Sequence, residues 1–483
     1  MKASDPQQSL PTTRLHSPRW ALVSLALSTL LASLGASVAT VGLPTLARAF
    51  DASFQHVQWV VLAYLLVITT LIVSVGRLGD LVGRRKLLLI GIALFTFASA
   101  LCGVAPSLDG LIIGRALQGL GAAIMMTLTL ALVGETVSQE KTGSAMGLLA
   151  TLSAVGTALG PSLGGALISG FGWPALFLVN VPLGMLTLWL AWRSLPVRPA
   201  PLRAEKARFD VTGTLLLAAT LTAYALAMTS GRGDFGGRNV ALLLIATLGA
   251  GLFVLAQSRV ASPLIPLAAF RDRLLVSGLV TSAVVATVMM ATLLVGPFYL
   301  SITLGLPPAL VGLVLAAGPS VAALAGVPAG RLTDRFGARP IRLAGLSCMV
   351  LGCLMLALVS PGLGIGGYLG SIVVTTLGYA FFQTANTTAV MADVAAQRRG
   401  VIAGLLNLSR NLGFFTGASV LGAVFAHASA ATDVGSATAD AIASGLHTTF
   451  AVALAMVLLA LAIALKYRAP GPSREAQEGA REA

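Results

Sequence analysis

Long apolar runs, separated by short polar or glycine-containing breaks, fill this chain almost from end to end. A membrane-crossing helix needs about 20 apolar residues. Fourteen runs qualify, at 21–43, 57–76, 87–105, 111–133, 143–169, 174–192, 211–229, 239–257, 275–303, 308–329, 341–360, 365–390, 401–427 and 447–466. The pattern predicts an all-α integral membrane protein. The first run follows a polar stretch holding Lys2, Arg14 and Arg19, which imitates a secretion signal. From Ala21 to Pro44 it is longer than the ~7–15 apolar residues of a cleaved signal, so it reads as an uncleaved first helix.

The breaks carry a repeat. Gly76-Arg-Leu-Gly-Asp80-Leu-Val-Gly83-Arg84-Arg85 recurs 254 residues later as Gly330-Arg331-Leu-Thr-Asp334-Arg-Phe-Gly337-Ala-Arg339, with six of ten positions identical. Each copy stands between two apolar runs. Two similar halves are therefore expected, a six-helix bundle over 21–193 and another over 274–466. Two inserted helices lie between them in 194–273, and polar tails occupy 1–20 and 467–483. Two halves that rock around a central site form the architecture of a secondary transporter.

Composition agrees. Of 483 residues 56% are hydrophobic and only 10% charged, against roughly 25% charged in a soluble domain. The net charge of +14 would suggest nucleic acid in a soluble protein, but its distribution gives another cause. With the N-terminus inside, 26 Lys and Arg fall in cytoplasmic connections and tails and three (Arg48, Arg232, Arg238) outside. This is the positive-inside bias. It excludes a nucleic-acid function and predicts both termini in the cytoplasm. Cys102, Cys348 and Cys353 all lie in apolar runs without metal spacing. No metal or cofactor is expected. The chain lacks a GxxxxGK[ST] phosphate loop, so transport would run on a gradient. Gly362–Gly367 fits GxGxxG but falls between membrane spans with no βαβ context, and the Asn386-Thr-Thr388 acceptor triplet lies inside a span.

In this order and on these spans, the motifs resemble the major facilitator superfamily, specifically its fourteen-helix drug:proton antiporter group. Gly76–Lys86 resembles the signature loop between helices 2 and 3. Leu111–Gly121, with Arg115, Gln118 and Gly119, resembles the helix-4 motif. Gly156, Gly160, Pro161, Gly164 and Gly165 resemble the helix-5 motif of exporters. Trp59 and Tyr64, Phe177–Pro182, and Arg410-Asn411-Leu-Gly413 are similar too. The resemblance covers nearly the whole chain. It implies a non-enzymatic, monomeric exporter of small hydrophobic or drug-like molecules in a bacterial cytoplasmic membrane, with lipid, substrate and protons as its partners. A dedicated exporter of one metabolite, and an importer or symporter, stand as alternatives.

For the signature loop the resemblance implies a cytoplasmic latch of Gly76, Asp80, Gly83, Arg84 and Arg85, mirrored by Arg331 and Asp334. The other reading is that these charges only set orientation. An ionisable residue inside a span is costly and a functional candidate by default. That holds for Arg115, which the resemblance links to proton handling, and for Arg410; both could instead fix helix packing. Gly156, Gly160 and Gly164 recur every four residues, which makes a flat face for close helix contact, and Pro161 can bend the helix. Substrate-cavity candidates are Tyr64, Gln118, Phe298, Tyr299, Phe382, Gln383, Asn386, Asn407, Arg410 and Asn411. The chain departs from the group at helix 1, where Gly35 stands in the place of the usual aspartate. Neutral or anionic substrates are then favoured over lipophilic cations. Proton coupling would fall to Asp80 with Arg115, or to Glu135.

Overall fold

The structure is a computed structural model and describes residues 18–137, 139–196, 210–230, 236–260, 270–392, 394, 399–429 and 437–466. Among the described residues, fourteen helices are long and apolar enough to cross a membrane. Helices 1 to 6 are Pro18–Val41, Trp59–Val82, Arg84–Gly103, Leu108–Thr136, Gln139–Phe171 and Asn180–Ser194. Helices 7 and 8 are Val211–Thr229 and Gly237–Arg259. Helices 9 to 14 are Arg273–Phe298, Pro308–Phe336, Ala338–Leu358, Gly364–Met391, Arg399–Thr416 and Ala439–Lys466. Helix 9 runs on through a π turn, Tyr299–Thr303, and helix 13 through another, Gly417–Leu421, into Gly422–Ala428.

Polar residues at the run edges set several starts. Ser107 accepts from the Gly110 amide at 3.2 Å, Asp272 from that of Leu274 at 2.8 Å and Asp210 from that of Gly213 at 2.8 Å. Each satisfies a helix N-terminal donor that has no partner within its helix. Both copies of the repeated phrase are mostly helical, which differs from the loop expected. Helix 2 continues to Val82 and helix 10 to Phe336, so each break shrinks to one glycine, Gly83 (φ 98°) or Gly337 (φ 87°). That backbone region is strained for residues bearing a Cβ.

Glycines also let the helices approach closely. A Cβ at Gly121 would lie 2.7 Å from the Gly91 carbonyl, joining helices 3 and 4, and one at Gly378 would lie 2.6 Å from that of Gly345, joining helices 11 and 12. Gly91 and Gly345 stand at the same offset of 254 as the repeated phrase. The inserted pair is held from within by the Asp210 carboxylate, which accepts from Gln257 Nε2 of helix 8 at 2.7 Å. Helix 7 lies along helix 2, through Trp59 Nε1 to Thr229 Oγ1 at 3.1 Å and a 2.8 Å Ser74–Thr214 hydroxyl pair. It also reaches helix 13, where the Tyr224 and Phe415 rings are 6.3 Å apart. Helix 8 is outermost and exposes Leu244, Leu248, Leu252 and Leu255, as suits a lipid-facing surface.

The bundle has two ends. The basic end carries the Gly83 and Gly337 breaks. At the opposite end, helices 1–6 meet helices 9–14 in a seam. Phe54, on the short helix before helix 2, sits 5.0 Å from both Phe298 and Phe425 between ring centroids. Gln58 Nε2 donates to the Ala418 carbonyl. A Cβ built on Gly165 of helix 5 would lie 3.1 Å from the Gly312 Cα of helix 10. Toward the basic end, Cβ positions at Gly134, Gly147, Gly326, Gly330 and Gly404 meet nothing within 4 Å.

Candidate functional site

The helix-4 motif places Arg115 two turns in from the sealed end, fully buried. Its Nε donates to the Val60 carbonyl at 2.9 Å and its Nη1 to the Gly35 carbonyl at 3.0 Å; Nη1 also bonds Gln118 Oε1. The guanidinium lies 4.2 Å from the centre of the Tyr64 ring, a cation–π arrangement that gains strength when desolvated. Gln118 Nε2 passes the network to Ser99 Oγ at 2.7 Å, and the Tyr64 hydroxyl donates to the Ala32 carbonyl at 3.0 Å. One side chain thus ties helices 1, 2 and 4, and its neighbours add helix 3. Arg115 Nη2 has no partner among the described residues.

The missing helix-1 carboxylate has a physical explanation. A Cβ on Gly35 would lie 2.5 Å from Phe95 Cζ, so the Phe95 ring fills the space an acid would need. Gly35→Asp is therefore expected to lower membrane level and transport at least tenfold. Adding Phe95→Ala should restore both and bring transport of a cationic drug, because it empties the space that the new carboxylate needs. Uptake of one neutral and one dicationic drug into vesicles checks this; a double variant as inactive as Gly35→Asp would refute it.

The helix-5 glycines serve two contacts. Gly156, Gly160 and Gly164 face helix 1, where a Cβ on Gly156 would stand 2.7 Å from the Leu30 carbonyl and one on Gly164 2.7 Å from Val41 Cγ1. Ser33 and Ser153 hydroxyls pair at 2.8 Å on the same face. Gly165 and the Pro161 carbonyl face Gly312 on helix 10 instead. Helix 5 is wedged between its own bundle and the other one.

At the basic end Asp80 pairs with Arg84 at 2.8 Å across the Gly83 break. Arg85 Nη2 donates to the Trp192 carbonyl at 2.6 Å, a cation at a helix C-terminus, where the helix dipole favours it. Arg331 and Asp334 are exposed. Gly76 is beside Thr127 of helix 4, its Cβ position 3.7 Å from Cγ2. Glu135 lies in the last turn of helix 4, with its side chain outside the described residues.

The cavity candidates divide. Tyr64, Gln118, Phe298, Tyr299, Phe382 and Asn386 are each at most 1% exposed, so in this conformation they join helices and do not face open space. Asn386 Nδ2, for example, donates to the Gly278 carbonyl at 3.0 Å, linking helices 12 and 9. Tyr299 and Tyr368 stack at 5.7 Å. Gln383, Asn407 and Arg410 are half-buried and Asn411 is buried. Arg410 Nη2 donates to Asn407 Oδ1 at 2.8 Å and Asn411 Nδ2 to the Asn407 carbonyl at 3.0 Å. Phe54, Phe95, Phe425 and Gln58 were not singled out by the sequence; a phenylalanine in an apolar span looks the same on any face.

Fourteen crossing helices, a doubled helix-break-helix motif and a seam at one end define a polytopic membrane transporter built of two related bundles. The sequence matches the model of the Major Facilitator Superfamily over residues 25–418, and the chain belongs to that family. Among curated relatives, multidrug resistance protein Stp of Mycobacterium tuberculosis is 34% identical over 84% of this chain and 75% of its own. Riboflavin transporter RibZ of Clostridioides difficile is 30% identical over 84% and 88%. Multidrug efflux pump LfrA of Mycolicibacterium smegmatis is 32% identical over 86% and 82%. The fold is also that of nucleoside transporter NupG, with a TM-score of 0.66, 12% identity and coverage of 92% of this chain and 99% of that one.

Proposed function

We propose that the protein exports small hydrophobic or amphipathic molecules across a bacterial cytoplasmic membrane by alternating access, drawing on the proton gradient. The observation that carries this is the seam at helices 5 and 10, closed at one end, with Asp80, Arg331 and Asp334 exposed at the other. The 26-to-3 charge bias supports a cytoplasmic basic end and cytoplasmic termini. The conformation then faces inward, ready to take a compound from the cytoplasm. Relatives named as multidrug resistance protein and efflux pump support the export direction, and the protein acts as a monomer. In the outward-facing state, the Asp80 and Asp334 breaks come together as a latch. Phe95 in the acid's place favours a second reading, a dedicated exporter of one uncharged or acidic metabolite.

Transport in inside-out vesicles tests both, with a neutral and a cationic fluorescent drug and with ΔpH and membrane potential collapsed separately. Loss of uptake on collapsing ΔpH supports proton antiport; indifference to ΔpH removes it. Asp80→Asn should cut uptake about tenfold at unchanged membrane level. If both Asp80→Asn and Glu135→Gln leave proton-driven uptake intact, coupling lies elsewhere. If neither drug is taken up while a metabolite panel yields one compound, the second reading holds.

A further inference from the structure

We infer that Arg410 and Asn407 form a binding site for the acidic group of the transported molecule, so that the preferred cargo is an amphipathic anion with an apolar body. This rests on the exporter reading and names the substrate class of that same path. Arg410 is eleven residues into helix 13, about 16 Å from its basic end at ~1.5 Å per residue, hence deep in the bilayer. A charge at that depth faces protein or a water-filled cavity, not lipid. The helix geometry shows which side that is. Leu408 packs with the helix-2 core cluster, while Ser409 Oγ donates to the Leu279 carbonyl of helix 9 at 2.5 Å and Gly413 abuts Ala283 of helix 9. Asn407, Arg410 and Phe414 share the remaining face, at spacings of three and four residues, and all three are half-buried.

This face is rich in donors. Among the described residues the guanidinium has one partner, Asn407 Oδ1, of the five N–H groups an arginine carries. With Oδ1 turned to the arginine, the Asn407 amide nitrogen is free to donate, and it has no acceptor among the described residues. Arg115 differs: it is fully buried, committed to carbonyls and covered by Tyr64, so it is closed to cargo. Every carboxylate with a described side chain sits at a helix end, so among the described residues Arg410 has no counter-ion at its depth. A planar guanidinium with an adjacent amide N–H suits a carboxylate or phosphate oxygen pair. One turn further on, Phe414 offers an aromatic surface, and the partly buried Met289, Leu293 and Tyr379 belong to the same apolar cluster.

The test uses purified full-length protein and three matched compounds: 2-naphthoxyacetic acid, its methyl ester, and the corresponding trimethylammonium ether. Binding is followed by tryptophan quenching. The acid should bind at least ten times more tightly than the ester, and the ammonium compound most weakly. Arg410→Gln should reduce the acid-to-ester ratio below about twofold, and Arg410→Lys should restore part of it. Equal binding of acid and ester, an unchanged ratio in Arg410→Gln, or binding of none of the three overturns the site. Vesicle uptake of a neutral drug separates the two readings. Uptake with no acid preference leaves the exporter and removes the anion site. A tenfold acid preference abolished by Arg410→Gln, without uptake of any compound, does the reverse.

Discussion

Arg115→Met is expected to abolish transport, by at least a hundredfold in vesicle uptake, while leaving the protein folded in the membrane. Two large effects oppose each other in stability. The side chain makes bonds to the Val60 and Gly35 carbonyls and to Gln118, and a hydrogen bond involving a charged group contributes about 1.5–3 kcal/mol. Against this stands the desolvation of a guanidinium that no carboxylate faces among the described residues, a cost of roughly several kcal/mol. Methionine removes both, and the main-chain carbonyls it abandons still accept their own helical bonds. What it cannot replace is the register of helices 1, 2 and 4 that the fork imposes. Arg115→Lys discriminates further. An ammonium keeps the charge but lacks the planar fork, so it reaches one carbonyl and should rescue little. Uptake normalised to membrane level, with thermal unfolding alongside, checks both variants. A lysine variant as active as the parent would show that charge alone matters and that the clamp does not.

The behaviour of Arg115 illustrates how far the sequence could be read. Its place inside the bundle was legible because a charge inside an apolar run does not face lipid. Two of its hydrogen-bond partners were not, because they are main-chain carbonyls on helices 1 and 2, which carry no side-chain signature. The number of spans was legible from run length and from the charge asymmetry, and the repeated phrase marked two halves. Helix ends were less so. Helix 2 runs on to Val82 and helix 10 to Phe336, since charged residues end an apolar run without ending a helix. The cavity was hardest. In a bundle apolar on every side, periodicity does not say which face is inward. Thus Tyr64, Gln118 and Phe382 are buried between helices in this conformation, while Asn407 and Arg410 are half-buried. Gly35 shows the same limit from the other side: the missing acid was visible, but Phe95, 60 residues along the chain, was not recognisable as the group that takes its space.

Gly165→Leu and Gly312→Leu are expected to lock the transporter away from the state seen here and reduce uptake at least tenfold. At this point in the seam a Cβ on Gly165 would lie 3.1 Å from the Gly312 Cα, and one on Gly312 3.0 Å from the Gly165 Cα. Both neighbours are backbone, which cannot rotate away as a side chain does. Overpacking a tight contact costs about 1–3 kcal/mol, and every ~1.4 kcal/mol is a factor of ten in an equilibrium. The penalty falls on closure of the sealed end, where the Gly165 and Gly312 backbones meet. The population therefore moves toward the form open at that end, and the cycle stalls. Gly326→Ala on the same helix 10 is the control: nothing lies within 4 Å of its Cβ position, so uptake should stay at the parent level. Labelling gives the direction. Ala418 is fully buried beside Gln58 in the seam. An Ala418→Cys thiol should react slowly with a membrane-impermeant maleimide in the parent and at least five times faster with Gly165→Leu added. Equal labelling rates, or full transport by both leucine variants, would mean that helices 5 and 10 do not gate the sealed end. Faster labelling together with lost uptake would identify the Gly165–Gly312 contact as the point where closure of that end is decided.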